Sequence, residues 1–191
     1  KEFNKIINEK VILDSMLMSL SDEVSRSITK IYTTLKKGGK IFLCGNGGSA
    51  ADAQHLSAEF LVRLRPNINR RPLPVISLAL DTSTITACGN DLGYNKIFER
   101  NLTALGTKKD LLIAISTSGK SKNILNVLKY AKKNKIFSIA LLGNKGGFAK
   151  KLSNLNLIVP SINVARIQES HIFLGHFIFE QVENLILKDE K

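Results

Sequence analysis

Tryptophan is absent from this 191-residue chain, and aromatic residues of all kinds make up only 6% of it. With 43% hydrophobic residues, the core must be mainly aliphatic, built from Ile, Leu and Val. Cysteine is nearly absent too. Cys44 and Cys88 stand alone without metal-ligand spacing, so both are expected as reduced thiols in a cytoplasmic interior. No stretch approaches the roughly 20 apolar residues that span a bilayer, and no charged-then-apolar leader opens the sequence, so neither a membrane segment nor a secretory signal is expected. Low-complexity tracts, internal repeats and linkers are missing. The reading is one domain over residues 1–191, long enough to bury a core.

Negative charge is scarce: 16 Asp and Glu stand against 28 Lys and Arg, for a formal charge of +12. Such an excess could serve a nucleic acid. However, Lys36-Lys37, Lys108-Lys109, Lys132-Lys133-Lys135 and Lys150-Lys151 fall at separate helix ends and turns. Cations are favourable near helix C-termini in any case, and no aromatic residues interleave with them. A solvated basic coat is expected, with no nucleic-acid partner. Arg63, Arg65, Arg70 and Arg71 form one denser cluster, of which the last three read as surface arginines.

What the chain does have is alternation. Apolar runs at 40–45, 74–80, 110–116, 136–143 and 155–159 lack a two-residue period, as expected of parallel strands covered on both faces. Helical patterns at 2–20, 22–37, 49–63, 82–88, 94–105, 121–134, 146–151 and 164–187 separate or flank them. The prediction is an α/β fold with a doubly wound parallel sheet, a three-layer sandwich of flavodoxin-like type, and a long amphipathic helix at each end. Ligands bind such sheets beyond the carboxyl ends of the strands, which directs attention to the turns after Gly45 and Ser116.

The first turn, Cys44-Gly45-Asn46-Gly47-Gly48-Ser49, opens a helix and can approach an anion closely. Ser49 and Asp52 have capping-box spacing. The G-x-G-x-x-G dinucleotide spacing is absent. The second turn, Ser116-Thr117-Ser118-Gly119-Lys120-Ser121, surrounds a helix start with hydroxyls, a donor set that suits the terminal oxygens of a phosphate monoester. It lacks the four-residue gap of a Walker loop, so it should grip a phosphate and leave it intact. A plain helix cap is the competing reading.

His55 and Glu59 lie four apart on the helix after the first turn, hence on one face, a pairing that suits general-base work or metal ligation. The last helix carries Gln168, His171 and His176 inside an otherwise apolar segment. His171 and His176 point about 140° apart, so they should not serve one site, and spacing does not choose between them.

Together CGNGGSAADAQHLSAE, GNDLGYNKIFERNLTALG, LIAISTSGKSKNIL and ARIQESHIFLGH resemble the sugar isomerase (SIS) domain family, and within it the phosphoheptose isomerases, over residues 37–183. The resemblance implies a five-stranded parallel sheet and a homotetramer with active sites between subunits, the first 37 residues contributing to oligomer packing. It implies conversion of D-sedoheptulose 7-phosphate to D-glycero-D-manno-heptose 7-phosphate in bacterial heptose precursor synthesis. Ser116, Thr117, Ser118 and Ser121 match phosphate holders, joined by Asn46, Gly47 and Ser49 from the glycine turn. Glu59 and His176 match the acid/base pair, and Arg63, Asp91, Thr117 and Gln168 match substrate contacts. His55, Glu59, Gln168 and His176 match zinc ligands, which implies one Zn2+ per subunit and no nucleotide cofactor. At Ala165 some relatives carry an acidic residue. The same resemblance admits an isomerase of another sugar phosphate, or a non-catalytic regulator of this fold that binds the replication initiator.

One spacing conflicts with a single-chain zinc site. Gln168 and His176 are eight residues apart, about 12 Å along an ideal helix, while zinc ligands lie about 2 Å from the ion. Either the helix begins after Gln168 or the residues come from different subunits. The prediction is a site completed across an interface.

Overall fold

The structure is a computed structural model that describes residues 1–190. Five parallel strands form one sheet in the order β2-β1-β3-β4-β5. They are β1 (Ile41–Cys44), β2 (Val75–Ser77), β3 (Leu111–Ser116), β4 (Phe137–Gly143) and β5 (Leu155–Val159). Seven α-helices surround them: α1 (Glu2–Leu17), α2 (Ser21–Lys36), α3 (Gly48–Leu61), α4 (Thr82–Asp91), α5 (Ile97–Leu105), α6 (Lys122–Lys133) and α7 (Val164–Asp189). The doubly wound α/β prediction holds.

The two faces of the sheet bury different sets of side chains. Ile41, Leu43, Leu111, Ile113, Ile139 and Leu141 face α2, α3 and α7. Phe42, Cys44, Leu112, Ala114, Ala140 and Leu142 face α5 and α6. With both faces covered, no polar alternation survives in the central strands, which is why they read as unbroken apolar runs. Edge strand β2 is only three residues long, against the seven predicted, because its apolar run turns away after Ser77. Cys44 and Cys88 are buried free thiols, and burial pushes the Cys44 thiol up. No helix among the described residues is long and apolar enough to cross a membrane.

Both terminal helices are long, but only α7 is embedded. α1 buries just Leu13 and Leu17 and leaves Phe3, Val11 and Ile12 exposed. The segment predicted as a helix at 146–151 is a single short turn at Ala149–Lys151. The capping box does not form: α3 starts at Gly48 with Gly47 as its N-cap at φ 57°, and Ser49 lies buried inside the first turn. Asn163 instead caps α7, its Oδ1 accepting from the N–H groups of Ala165 and Arg166.

Candidate active site

Strand order sets the location. The chain leaves β1 for β2 on one side and returns to place β3 on the other, so the crevice lies between the carboxyl ends of β1 and β3. The glycine turn follows β1 and the serine turn follows β3. An amide pair joins them: Asn46 Nδ2 donates to Asn123 Oδ1 at 2.9 Å, and Asn123 Nδ2 returns a bond to Asn46 Oδ1 at 2.8 Å. Tyr94 adds its hydroxyl to Asn46 Oδ1 at 3.0 Å. Asn123 is buried, so this pairing fixes the spacing of the two turns.

Within the serine turn, Gly119 has φ 61°, and a Cβ there would meet the carbonyl oxygen of Gly146 at 2.1 Å. Only glycine fits. Ser116 is buried and its Oγ accepts from the N–H of Gly119, while Ser118 Oγ accepts from the N–H of Lys120. Ser121 is the N-cap residue of α6, yet among the described residues its hydroxyl makes no cap hydrogen bond. The plain-cap reading of the turn therefore fails for Ser121, and its hydroxyl stays available beside the first N–H groups of α6.

The second half of the site lies where α3 and α7 pack. His55 Nε2 is 2.8 Å from His176 Nε2 and 3.3 Å from Glu59 Oε1, with the two rings edge to face. Two protonated nitrogens would repel at 2.8 Å, so the pair must share one proton or one cation. Ligand atoms of His55, Glu59 and His176 all lie within 4.8 Å of one another. Glu59 Oε2 is buried and has no hydrogen-bond partner among the described residues. Two imidazoles and a carboxylate, one oxygen still unpartnered, fit a divalent metal ion.

The histidine choice that spacing left open is now decided. His171 is fully buried, its Nε2 3.0 Å from the Leu142 carbonyl oxygen, and burial lowers its pKa to about 4. His176 faces the cluster. Gln168 does not, because α7 runs unbroken from Val164 to Asp189 and puts it about 12 Å from His176. Its side chain lies over the start of α3, where a Cβ on Gly48 would meet Gln168 Nε2 at 2.4 Å. Glu59 and His176, by contrast, meet within one protomer, so that pair needs no second subunit.

The sequence profile of the SIS domain family matches residues 6–143. A phosphoheptose isomerase of Aliarcobacter butzleri is 52% identical over 169 residues, which cover 88% of each chain. That of Helicobacter pylori strain P12 is 45% identical over 183 residues, 96% of this chain and 93% of the relative. The solved phosphoheptose isomerase of Francisella tularensis superposes with a TM-score of 0.91 at 34% identity, covering 96% of this chain and 97% of that one. The chain belongs to the phosphoheptose isomerase branch of the SIS domain family.

Other expected site residues of this isomerase are placed less centrally. Arg63 does not continue the Glu59 face, because α3 ends at Leu61; its Nη1 donates to the Pro66 carbonyl and the residue is exposed. Asp91 ends α4 and accepts from Asn90 Nδ2 at 2.9 Å. The surface reading of Arg70 is overturned. Its side chain is 1% exposed and pairs with the wholly buried Glu183 at 2.6 Å. It also donates to the carbonyls of Glu59 at 2.8 Å and Phe60 at 3.0 Å, satisfying the last turn of α3. Arg65 completes the cluster with a 2.7 Å bond to Glu183 Oε2. This clamp ties the helix of Glu59 to the helix of His176. Arg70, Asn123 and Tyr94 carry no local sequence signal, since each acts on a partner distant in sequence.

Proposed function

We propose that this isomerase interconverts D-sedoheptulose 7-phosphate and D-glycero-D-manno-heptose 7-phosphate, supplying heptose precursors for bacterial lipopolysaccharide or capsule from the cytoplasm. The observation that carries the reading is the convergence of His176 from α7 with His55 and Glu59 on α3, the helix that starts at the switch-point crevice. Ser116, Thr117, Ser118 and Ser121 hold the phosphate with the N–H groups of α6, aided by Asn46, Gly47 and Ser49. His55 lies seven residues beyond Gly48, about 10 Å along α3. An extended seven-carbon sugar held by its terminal phosphate can bring C1 and C2 to the cluster.

The chemistry needs one carbon-bound proton moved. Glu59 takes it from C1 of the ketose, and the released electron pair forms the C1–C2 double bond of an enediol while His176 protonates the former carbonyl oxygen. The Glu59 carboxyl exchanges its proton with solvent and then protonates C2, the O1 proton passes to His176, and an aldehyde stands at C1. Glu59 Oε1 faces His55 while Oε2 is unpartnered, so one oxygen can ligate while the other abstracts. A zinc ion held by His55, Glu59 and His176 would polarise the carbonyl. Gln168 completes that set from a neighbouring subunit, and Arg63 and Asp91 contact sugar hydroxyls. A homotetramer with sites between subunits is supported by Phe173 and Phe177, which flank His176 on α7 and are 55% and 41% exposed, and by the apolar surface of α1.

Incubation with sedoheptulose 7-phosphate in heavy water tests the reading. NMR should show the aldose with deuterium at C2, Glu59→Gln should lower kcat at least 100-fold, and chelation should lower the rate, with zinc restoring it. Tight substrate binding without turnover, with or without zinc, would sink the proposal.

A further inference from the structure

Lysines that are scattered in sequence gather in space at the other end of the sheet. In a parallel α/β sheet the crossover helices end near the amino ends of the strands, so Lys30 of α2 and Lys132 in the last turn of α6 meet the residues that lead into β3 and β4. A cleft of about 360 Å³ opens there. Its walls carry Lys30, Lys108, Lys109, Lys132 and Lys135, with Thr34 and Asn154 as neutral donors. The one acid in the lining, Asp110, is 3% exposed and already occupied by Lys40 and Thr107. Strands of six and seven residues put this cleft about 20 Å from the serine turn.

Helix dipoles do not account for it. Lys132 lies in the last turn of α6, where a cation is favoured, but Lys108 and Lys109 precede β3 and Lys30 lies more than a turn from the end of α2. Lys135 is the stronger sign. Its φ is 59°, the left-handed region in which glycine is the usual occupant. The end of α6 sets this conformation, with the N–H of Ile136 donating to the Ala131 carbonyl and that of Lys135 to the Lys132 carbonyl; lysine in place of glycine there puts a fifth ammonium at the edge of a cleft that already has four. Like charges so placed repel unless an anion joins them.

We propose that this cleft binds a small oligophosphate anion, separate from the catalytic crevice. Several ammonium groups without a planar fork suit clustered point charges better than a lone carboxylate. The volume is that of a small-ligand pocket.

Titration calorimetry at low salt with inorganic tripolyphosphate tests this on the full chain. A Ser118→Ala/Ser121→Ala variant disables the catalytic turn and should keep tripolyphosphate binding. Lys108→Gln/Lys109→Gln/Lys135→Gly should lose it at least tenfold while retaining wild-type isomerase activity, and Lys150→Gln/Lys151→Gln should not lose it. Affinity should fall steeply with salt. A nucleoside triphosphate run alongside identifies the source: equal affinity assigns the site to the oligophosphate group, tighter binding to a nucleotide. Binding that survives the lysine substitutions, or that fails in the serine variant, overturns the proposal. So does tighter, lysine-dependent binding of a 20-nucleotide single strand, which would make the face a nucleic-acid surface.

Discussion

Replacing Arg70 by Met should destabilise this protein more than any substitution at the catalytic residues. Arg70 and Glu183 are 1% and 0% exposed at the side chain and meet at 2.6 Å. Removing one partner of such a pair leaves a buried charge short of its counter-ion, at a cost of about 3–5 kcal/mol. Arg65 still reaches Glu183 Oε2, which places Arg70→Met towards the lower figure. Glu183→Met strands the deeply buried Arg70 and belongs towards the upper one. For a chain of this size each kcal/mol moves Tm by about 2–4 °C, so losses near 10 °C are expected. The double variant Arg70→Met/Glu183→Met removes both charges and fills the space with apolar side chains, an exchange that is often close to neutral. It should be more stable than either single variant. Thermal and urea unfolding of the four proteins make a complete cycle. Additive losses, or a single-variant loss under about 1 kcal/mol, would refute the clamp. Because Arg70 also donates to the Glu59 carbonyl, kcat of the double variant should stay below wild type even where its stability recovers.

His171 should make the fold acid-sensitive: its folded pKa of about 4 lies below the unfolded value, so the unfolded chain binds the extra proton first. That contribution is fully present above about pH 6.5 and is lost as pH falls towards 4, amounting to ~3 kcal/mol; His171→Gln should flatten the slope of stability against pH in that window. Gly119→Ala should cost at least ~2 kcal/mol and raise KM for the sugar phosphate, since its Cβ would strike the Gly146 carbonyl oxygen at 2.1 Å; an unchanged KM would separate the turn from phosphate binding. Lys135→Gly should stabilise by about 0.5–1 kcal/mol in thermal unfolding by relieving a left-handed lysine. If Gln168 acts across an interface, mixing Gln168→Ala chains with Glu59→Gln chains should restore activity in hybrid oligomers, and mixing Glu59→Gln with His176→Ala chains should not, because those two meet within one protomer.

Most of what was legible in the sequence depends on short range. Strands covered on both faces have to be continuously apolar, so β1, β3, β4 and β5 could be located within a residue or so. The pairing of His55 with Glu59 is a property of one helix turn, and the serine turn declares itself by composition. The misplacements lie where a neighbour in space decides. Ser49 does not cap α3 because Gly47, at φ 57°, takes the N-cap position. His176 and not His171 reaches the cluster because α7 turns the latter against the Leu142 carbonyl.

The arginines and lysines show why composition could not settle the charged residues. Four arginines close in sequence looked like one surface feature. They divide into an exposed Arg63, a half-buried Arg65 and a buried Arg70 that holds the end of α3, with Arg71 paired to Glu190 at the surface. Lysines looked dispersed because they sit at the ends of separate elements. Those ends are what a parallel sheet brings together: each crossover returns the chain to the same edge, so dispersion along the sequence becomes concentration in space. The same geometry collects the strand ends that carry the glycine and serine turns at the opposite edge. One topology thus separates the hydroxyl-lined serine turn from a cleft that gathers five of the chain's lysines at the opposite edge.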